Sequence, residues 1–524
     1  MEEYKVLITT SGIGSRLGDL TKYTNKSLVR VGDKPAISHI IESYPEDTKF
    51  VVTLGHFGDH VKDFLELAYP NKNFEFVTVD KYKGEGSSLL YSLKCAKSNL
   101  NSPFIFHAGD TIIKDHSFQK LKDNWVVGYD KLNSAQYRTF NTDSKNISNF
   151  NEKGELNYDF VYVGVAGISD YKLFWSKLEE IYEKNSFDSS LSDVHVIRKM
   201  LASTKFKFEI SNNWFDIGNT SELKKTRSKF KSSISVLDKM DENIFMFDNF
   251  VIKFFSNLDI SKNRYLRGKI LDSVVPKILD HKNNFFKYEK AKGKLFSNSA
   301  NPEKFKLFLE WLNKNLWIKH DEDIKLLTKS FYYDKTISRL KLILEQVQEN
   351  NNKINNIEVS KIFDLINQIN FDELYDGKAY RIHGDLILDN VIETKTGFKL
   401  IDWRQDFGGE LTYGDIYYDL AKLNHNLIFN HHLVDSGNYF VNENNGNISC
   451  DILVSKNLLD CREVLHKFIL ENGYDLDKVK LLTSIIWLNM SPLHEYPLNK
   501  FLFNFGKYNL KIELDKLINK NDQE

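Results

Sequence analysis

Short apolar runs alternate with helix-like segments over roughly the first 227 residues. The apolar runs have the length of buried strands and lie at 6–8, 50–54, 74–77 and 104–106. The segments between them have helical periodicity. Strands that alternate with helices predict a mostly parallel sheet built from right-handed crossovers. Ligands of such sheets bind beyond the carboxyl ends of the strands, so we expect functional residues at that edge.

The length and composition predict a soluble protein with at least two domains. A chain of 524 residues exceeds one ordinary core, and 41% hydrophobic with 27% charged residues is typical of globular proteins. The net charge of −1 excludes an overall basic field for nucleic acid or anionic membranes. The three cysteines have no metal-ligand spacing, no signal peptide is evident, and no apolar run approaches a membrane span. We therefore expect a cytoplasmic protein.

The pattern changes after residue 228. Residues 228–242 are polar and are interpreted as a connector. Two apolar runs, 244–247 and 250–255, predict a β-hairpin. Helical periodicity dominates from Pro302 onward, so a small sheet-containing lobe precedes a mostly helical one. We predict two domains, at 1–228 and 243–520.

A glycine-rich segment follows the first predicted strand. Gly12 and Gly14 lie in Gly-Ile-Gly-Ser-Arg-Leu-Gly, where glycine lets backbone N–H groups approach phosphates without an obstructing Cβ. The spacing also fits a dinucleotide fingerprint, which is the main alternative. That alternative lacks an acidic residue about 20 positions on to bind a ribose. Arg16 and Lys26 lie nearby instead, and cations there suit a triphosphate whose departing pyrophosphate develops charge.

These motifs resemble those of the sugar-phosphate nucleotidylyltransferase family over roughly residues 4–228. Thr-Asn-Lys-Ser-Leu around Lys26 and Val-Gly-Asp-Lys-Pro at 31–35 add to the resemblance. It implies an α/β Rossmann-like nucleotidyltransferase domain, dependence on Mg²⁺, and in-line attack of a substrate phosphate on the α-phosphorus. It also implies that Arg16 holds the leaving pyrophosphate and that Lys26 neutralises charge around the α-phosphate.

The same resemblance implies a metal site and a loop that binds the base. Asp110 and Asp216 would be the Mg²⁺ ligands, because two carboxylates plus phosphate oxygens suit a hard octahedral cation. Each aspartate taken alone is equally explained as a turn residue at the end of a strand. The nucleobase would be bound by the loop that contains Gly84, Gly86 and Ser87.

Two departures from this family bear on the choice of nucleotide. Asn25 stands where the family usually has proline before the lysine. The glycine loop at 84–88 also differs from the version found in the sugar enzymes. Both departures resemble the phosphocholine cytidylyltransferases, which activate alcohol phosphates, and they favour CTP.

A second motif lies about 370 residues further along the chain. In His-Gly-Asp-x-x-x-x-Asn, Asp385 would accept or orient an alcohol proton, and Asn390 would reach a metal. Asp402 follows twelve residues later and would chelate Mg²⁺ that bridges the phosphates of ATP. With Asp419 in Gly-Asp-x-x-x-Asp-Leu-Ala, the set resembles the aminoglycoside phosphotransferase and choline kinase superfamily. The resemblance implies an α+β protein-kinase-like domain in which His383 and Asp419 organise the catalytic loop.

Two further groups of residues in this half have alternative interpretations. Lys253 would contact the α- and β-phosphates of ATP, or it is a hairpin lysine that faces solvent. No glutamate at a convincing helical position and no glycine-rich loop accompany it. Four aromatic residues would either cage a quaternary ammonium such as choline or, as we favour, belong to the core. They are Trp487, Tyr496, Phe501 and Phe503.

The two motifs together predict a bifunctional enzyme. ATP-dependent phosphorylation of a small alcohol (a sugar, polyol or amino alcohol) would be followed by transfer of CMP from CTP to the new phosphate. The product would be a nucleotide-activated precursor for capsular or other surface polysaccharide, or for a lipid head group. The expected partners are the alcohol, its phosphate, nucleoside triphosphates and Mg²⁺, with no nucleic acid.

Three alternatives stay open at this point. In the first alternative, one domain is catalytic and the other is a nucleotide-sensing regulatory domain. In the second, an NAD(P)-binding domain is fused to a kinase. In the third, the chain is a nucleotide-binding scaffold without turnover. Mg²⁺-dependent binding of nucleoside triphosphates and separate assays of the two activities distinguish them.

Overall fold

The computed structural model describes residues 4–115, 121–130, 134–232, 239–349, 353–444 and 446–521. The middle of the predicted connector, 233–238, lies outside these described residues. The chain divides into two compact units, which are described separately below. The first unit comprises Met1–Ser261 and Leu279–Tyr288, and the second comprises Lys262–Ile278 and Glu289–Glu524.

The strands are short, and most of the longer ones lie in the first 260 residues. In chain order they are β1 Lys5–Thr9, β2 Arg30–Val31, β3 Lys34–Pro35, β4 Lys49–Leu54, β5 Asn73–Thr78, β6 Phe104–Ala108, β7 Thr111–Ile113, β8 Asn124–Tyr129, β9 Thr139–Asp143, β10 Asn146–Asn151, β11 Phe160–Ile168, β12 Phe206–Ile210, β13 Trp214–Asp216, β14 Glu242–Met246, β15 Phe250–Phe255, β16 Ile278–Lys282, β17 Phe285–Glu289, β18 Lys294–Leu295, β19 Lys353–Ile354, β20 Ile357–Glu358, β21 Ala379–Tyr380, β22 Val391–Thr394, β23 Gly397–Leu400, β24 Gly414–Asp415, β25 Tyr439–Asn444 and β26 Asn447–Ile452.

The three longest helices of the described residues lie near the C-terminus, but short helices occur along the whole chain. In chain order they are α1 Ala36–Ile41, α2 Gly58–Ala68, α3 Leu89–Cys95, α4 Tyr171–Lys184, α5 Asp193–Met200, α6 Thr220–Lys229, α7 Leu258–Leu271, α8 Pro302–Asn315, α9 Lys325–Lys329, α10 Lys335–Gln346, α11 Ile362–Ile366, α12 Phe371–Tyr375, α13 Ile416–Asn426, α14 His431–Asp435, α15 Lys456–Glu471, α16 Leu476–Met490 and α17 Leu498–Asn521.

A nine-stranded sheet forms the centre of the first unit. Its strand order is β5-β4-β1-β6-β11-β8-β12-β10-β9, and the first four strands are parallel. The Rossmann-like α/β fold predicted for the N-terminal half is confirmed over these four strands. Beyond them the sheet is mixed, because β11 is antiparallel to both β6 and β8. The described residues from β8 to β11 contain no helix that would return the chain for a parallel pairing.

Helices cover both faces of this sheet. Along β1, Val6 and Ile8 pack with α1 and α2, whereas Leu7 packs with α3 on the other face. This alternation follows from the two-residue period of a strand. The helices cover the faces of the sheet, and the first candidate site lies at the carboxyl ends of β1 and β6.

The predicted hairpin is present as β14 and β15. It belongs to a four-stranded sheet with the order β14-β15-β17-β16. In the first unit, aromatic side chains of this sheet pack on α2, with ring centroids of Phe245 and Phe64 5.3 Å apart. Asn283 also donates a hydrogen bond to Asp63 of α2, over 2.8 Å. The boundaries predicted at 228 and 243 remain predictions.

The second unit is largely helical, as the periodicity predicts. α16 packs against both α13 and α17. A hairpin of β22 and β23 immediately precedes Asp402, which has a left-handed backbone conformation with φ 59°. Among the described residues, no helix is both long and apolar enough to span a bilayer.

Candidate active sites

The first site begins where β1 ends. Gly14 has φ 71°, a left-handed conformation that glycine adopts without a Cβ penalty. A Cβ at Gly14 would also lie 2.9 Å from Cβ of Lys26. Glycine is therefore required here both by the turn and by the close approach of Lys26. Gly12 differs, because a Cβ there would meet no atom within 4 Å.

Asn25 fixes the position of this glycine turn. Its buried side chain donates hydrogen bonds to the carbonyls of Thr10 (2.8 Å) and His56 (2.6 Å). Its Oδ1 accepts from both the backbone N–H and the hydroxyl of Ser27. Proline could make none of these side-chain bonds. The departure from the family motif thus has a structural role, which the sequence alone did not show.

Lys26 and Asp110 form an ion pair. Nζ of Lys26 lies 2.6 Å from Oδ2 of Asp110, and both side chains are about one-quarter exposed or less. Asp110 follows β6, whereas Lys26 begins a short helical turn after the glycine segment. The structure therefore brings together two residues that are 84 positions apart.

Asp216 lies close to Asp110. β13 pairs with β7 so that Asp216 lies opposite Thr111. The position of a Cβ at Gly218 would be 2.9 Å from Oδ1 of Asp216 and 3.5 Å from Oδ2 of Asp110. Asp216 also accepts hydrogen bonds from the Gly218 backbone N–H (2.6 Å) and from the Tyr137 hydroxyl (2.9 Å). Both predicted metal ligands therefore face one point.

The two carboxyl groups have opposite pKa shifts. Burial works to raise the pKa of Asp110, but the charges of Lys26 and Arg16 outweigh it and lower that pKa. Burial and the negative charge of Asp110 raise the pKa of Asp216. Two neighbouring carboxylates that repel each other are a fitting environment for a divalent cation. Asp110 and Asp216 would hold it.

A cavity of about 210 Å³ adjoins these carboxylates. Arg16, Asp110 and Asp216 line it, and so do the unpredicted cations Arg138 and Lys153. Burial, together with the charges of Arg16 and Arg138, lowers the pKa of Lys153. These two cations lie between β8 and β11, where the sequence has no recognisable motif, so sequence reasoning missed them.

The predicted base-binding loop is shaped by its glycines but lies outside this cavity lining. Gly84 and Gly86 have φ 75° and 80°, respectively. The Ser87 hydroxyl donates to the Gly84 carbonyl over 2.6 Å, and the neighbouring Ser88 caps α3. The role of these residues in nucleobase binding remains a prediction.

The second site is built on a buried aspartate. The carboxylate of Asp419 in α13 accepts hydrogen bonds from the backbone N–H groups of His383 and Gly384, each over 2.8 Å. It also accepts one from the indole N–H of Trp317. Burial raises the pKa of Asp419 to about 6. Burial lowers the pKa of His383 to about 4, and its Nε2 contacts the Ile401 carbonyl at 3.0 Å. Both residues hold the loop in place.

Asp385 pairs with a lysine that was not predicted. Oδ1 of Asp385 lies 2.8 Å from Nζ of Lys422 on α13. Burial works to raise the pKa of Asp385, but Lys422 outweighs it and the net shift is downward. Asn390 donates to the Asp385 carbonyl over 2.9 Å, so the predicted motif residues do lie together.

Asp402 adjoins this group and binds Arg264 of α7. The backbone N–H of Ile401 donates to the Asn390 carbonyl over 2.8 Å, which places Asn390 beside the segment that carries Asp402. Asn390 and Asp402 offer the oxygen ligands that Mg²⁺ prefers, and they would hold it. Within the described residues, no cluster of three or more His, Cys, Asp or Glu side chains is arranged to hold a metal.

Lys253 lies in the first unit and is buried, at 4% exposure. The solvent-facing alternative is therefore wrong. Its Nζ lies 3.3 Å from Oε1 of Glu242. This acidic neighbour lies on the adjacent strand β14 and not on a helix.

The four aromatic residues considered for a choline cage do not form one. Trp487, Phe501 and Phe503 are buried at 2% exposure or less, whereas Tyr496 is 75% exposed. Trp487 and Phe501 each contact the ring of Phe505, at 4.7 Å and 5.1 Å between centroids. These three buried rings belong to the helical core, as we favoured.

Comparison with known proteins supports the interpretation of the N-terminal half of the chain. The bifunctional protein GlmU of Methanococcus vannielii is 22% identical over 260 residues, which are 47% of this chain and 60% of that relative. The choline-phosphate cytidylyltransferase of Streptococcus pneumoniae is 29% identical over 113 residues, 21% of this chain and 47% of that relative. The N-terminal half is thus nucleotidylyltransferase-like. The chain spans 60% of the length of the methanococcal relative.

A solved structure is also similar to this chain. It is the CTP:phosphocholine cytidylyltransferase of Streptococcus pneumoniae, with 20% identity and a TM-score of 0.35. The match covers 43% of this chain and 99% of that structure. No protein-family model matches the chain.

Proposed function

We propose that the chain is a bifunctional transferase that phosphorylates a small alcohol and then links the phosphate to a nucleotide. The convergence of Lys26, Asp110 and Asp216 carries the proposal for the first reaction. The group formed by Asp385, Asn390 and Lys422 carries it for the second. The product is a nucleotide-activated precursor for surface polysaccharide or for a lipid head group.

In the first reaction, an oxygen of the alcohol phosphate attacks the α-phosphorus of the nucleotide. The bond between the α-phosphorus and the bridging oxygen breaks, and pyrophosphate leaves. Lys26 stabilises charge around the α-phosphate, and Arg16 binds the leaving group. Asp110 and Asp216 would hold Mg²⁺, which would supply further charge neutralisation.

We propose CTP as the nucleotide. Asn25, in the place of the family's proline, supports this choice. The name of the pneumococcal relative, a choline-phosphate cytidylyltransferase, supports it as well. The loop with Gly84, Gly86 and Ser87 is the proposed contact for the base.

In the second reaction, the alcohol oxygen attacks the γ-phosphorus of ATP while its proton passes to Asp385. The bond between the γ-phosphorus and the bridging oxygen breaks, and ADP leaves. Lys422 lowers the pKa of Asp385, so this carboxylate is ionised at neutral pH. It is a weak base that orients the hydroxyl and accepts its proton as the bond to phosphorus forms. Asn390 and Asp402 would hold Mg²⁺ beside the phosphates. Lys253 is a candidate contact for the phosphates of ATP.

The geometry favours nucleotidyl transfer over the NAD(P) alternative. A dinucleotide fingerprint requires an α-helix directly after its glycines, to which the pyrophosphate binds. Here the glycines are followed by a 3-10 turn, Ser15–Thr21, interrupted at Gly18. The fifth strand of the sheet, β11, is antiparallel, whereas the dinucleotide-binding fold continues in parallel.

Mass spectrometry of reactions of the full-length protein tests the proposal. The mixtures contain ATP, CTP, UTP, GTP and Mg²⁺ with pools of polyols, sugars, sugar acids, choline and ethanolamine. We expect a new nucleoside-diphosphate-linked mass, which names the base and the alcohol together. A protein that binds nicotinamide cofactor tightly and consumes no triphosphate would instead support the NAD(P) alternative.

Two variants separate the reactions. Asp110→Asn should accumulate the alcohol phosphate without nucleotide transfer, and Asp385→Asn should need the phosphate to be supplied. Asp123→Asn and Asp435→Asn make the same change at exposed positions and serve as controls. Pyrophosphate release that persists in Asp110→Asn would show that the first site is wrongly assigned. ATP-dependent phosphorylation that persists in Asp385→Asn would show that the second site is wrongly assigned.

A further inference from the structure

Asp385 faces a cavity of about 220 Å³ in the second unit. This volume is below the roughly 300–1,000 Å³ of pockets for drug-sized ligands, so its occupant is small. Asp385 is the only carboxylate among the described residues that line it, whereas five cationic side chains do so. They are Arg264, Lys335, Arg339, Arg404 and Lys422.

Two of these cations already have anionic partners. Lys422 pairs with Asp385, and Arg264 pairs with Asp402. Lys335, Arg339 and Arg404 form no ion pair with a carboxylate in the described part of the chain. Nε of Arg404 is moreover buried without a hydrogen-bond partner among the described residues. Three basic side chains thus line one small cavity without a carboxylate partner among the described residues, and an anion bound there would favour the protonated form of Lys335.

The pKa of Lys335 reflects burial and repulsion from the neighbouring cations. Burial lowers the pKa of Lys335 to about 6, and the charges of Arg404, Arg339 and Lys422 contribute to the lowering. An anion in the cavity would relieve this repulsion. A cationic ligand would increase it, because Asp385 is already neutralised by Lys422.

The fold holds these cations in place. A π-helical turn, Ser330–Asp334, joins α9 to α10 and directs Phe331 to the cavity wall. Nζ of Lys335 lies 4.1 Å from the Phe331 ring centroid, and the Arg404 guanidinium lies 4.9 Å from it. Inserted π turns of this kind are frequent at functional sites. Ile485 and Ile486 of α16 contribute an apolar wall.

We infer that the alcohol substrate of this site carries an anionic group, a carboxylate or a phosphate ester, which Lys335, Arg339 and Arg404 bind. The inference rests on the proposed kinase function. The hydroxyl of this substrate loses its proton to Asp385 as its oxygen bonds to the γ-phosphorus, and the bond from that phosphorus to ADP breaks. Choline and ethanolamine are therefore excluded as substrates.

The phosphates of ATP are a poorer explanation for the three cations. The residues proposed to lie beside those phosphates, Asn390 and Asp402, are not part of the cavity lining. Arg339 lies one helical turn beyond Lys335 on α10, so the cations form a row rather than a single point. Such a row fits a second anionic group at a distance from the reacting hydroxyl.

Matched acceptors test the inference with the full-length protein, ATP and Mg²⁺. The sets are glycerol, glycerate and glycerol 3-phosphate, and glucose, glucuronate and glucose 6-phosphate, with ethanolamine and choline alongside. We expect kcat/KM to be roughly 10-fold or more higher for anionic members, since charge-assisted contacts are lost in the neutral ones. Carboxylate and phosphate members distinguish the two anion types. Preference for neutral or cationic alcohols would overturn the inference while leaving the kinase proposal intact.

Failure to phosphorylate any acceptor would overturn the kinase proposal and this inference with it. Arg339→Gln provides the second measurement. It should raise KM for the anionic acceptor roughly 10-fold while KM for ATP changes little, and Arg339→Lys should restore part of the loss. Lys341→Gln, at an exposed position of the same helix, is the control. A rise in KM for ATP instead would assign the cations to the donor phosphates and contradict the inference.

Discussion

Both candidate sites contain a lysine–aspartate pair, but the charged groups closest to the two pairs differ. In the first site, Lys26 and Asp110 lie 2.6 Å apart, and the nearby Asp216 adds a second carboxylate. In the second site, Lys422 and Asp385 lie 2.8 Å apart in a cavity lined by further cations. The same pair therefore lies beside a second carboxylate in the first site, and beside basic side chains without a carboxylate partner among the described residues in the second.

The difference shows what each site lacks. Asp216 has a raised pKa, to which the repulsion from Asp110 contributes, so the first site gains from a cation. Lys335 has a lowered pKa because of burial and neighbouring cations, so the cavity of the second site gains from an anion. An ion pair alone does not indicate the ligand; the uncompensated charges around it do.

The largest effect is expected from Lys26→Met. It removes the charge beside Asp110 and the proposed stabilisation of the α-phosphate, so nucleotidyl transfer should fall roughly 100- to 1,000-fold. Phosphorylation of the alcohol should be unchanged. Pyrophosphate release and ADP formation, assayed separately, measure the two activities. Lys34→Met, which removes a peripheral pair with Glu42, should leave both at wild-type rates, and equal losses in the two lysine variants would contradict the assignment.

Asp419→Asn should have the next largest effect, confined to the second site. The carboxamide NH₂ would face backbone N–H groups that now donate to the carboxylate, leaving buried donors unsatisfied. We expect a loss of about 2–3 kcal/mol in the free energy of unfolding of this unit, and loss of phosphorylation. Urea denaturation followed by tryptophan fluorescence measures it, with Asp435→Asn as the exposed control. A wild-type unfolding curve would show that Asp419 does not brace the loop.

Lys335→Met should stabilise the protein while impairing acceptor binding. The pKa of Lys335 is about 6 in the folded state, below its ordinary 10.5. Between these values the unfolded chain binds the proton more readily, so Lys335 costs stability that grows as pH falls from 10.5 towards 6. We expect a gain of about 1–3 kcal/mol at pH 7 that shrinks as pH approaches 10.

Urea denaturation of the Lys335→Met protein at pH 7 and pH 9.5 measures this difference. Lys341→Met, at an exposed position of the same helix, serves as the control and should show no pH-dependent gain. A gain of equal size at both pH values would mean that the charge of Lys335 is not the source of the cost.

Gly218→Ala should give the smallest effect, in the first site. The added Cβ would lie 2.9 Å from Oδ1 of Asp216, so this carboxylate must shift. We expect roughly a tenfold fall in nucleotidyl transfer with little change in unfolding, because small displacements of reacting groups are costly in rate. Initial rates of pyrophosphate release at varied Mg²⁺ measure it. An unchanged rate at every Mg²⁺ concentration would show that the geometry of Asp216 is not critical.

The sequence predicted the part of the fold that follows simple periodicity. The four parallel strands and α1 to α3 lie within a few residues of the predicted segments. The antiparallel direction of β11 was not predicted. The direction in which two strands pair depends on the connection between them, which the pattern of apolar runs does not show. The sequence left the burial of Lys253 undecided for a similar reason: its partner Glu242 lies diagonally across a hairpin.

The candidate sites were predictable only where their residues lie in compact motifs. Asp110 and Asp216 lie near strand ends, and Asp385 and Asn390 lie at a fixed spacing. The structure places the first two near each other in the first unit and the last two near each other in the second, and their roles stay predictions. Lys335 and Arg339 come from a helix about 50 residues before Asp385, and no spacing rule connects them to it. Their importance arises only from proximity in the folded chain.

The π-helical turn at Ser330–Asp334 has a consequence for how such an enzyme could evolve. A π turn corresponds to one extra residue in an α-helix, and each residue turns a helix by about 100°. Deletion of a single codon there would rotate the start of α10 and withdraw Lys335 and Arg339 from the cavity. If the second site is a kinase site as proposed, one mutational event would thus change which alcohols are accepted while leaving the residues proposed for phosphoryl transfer untouched.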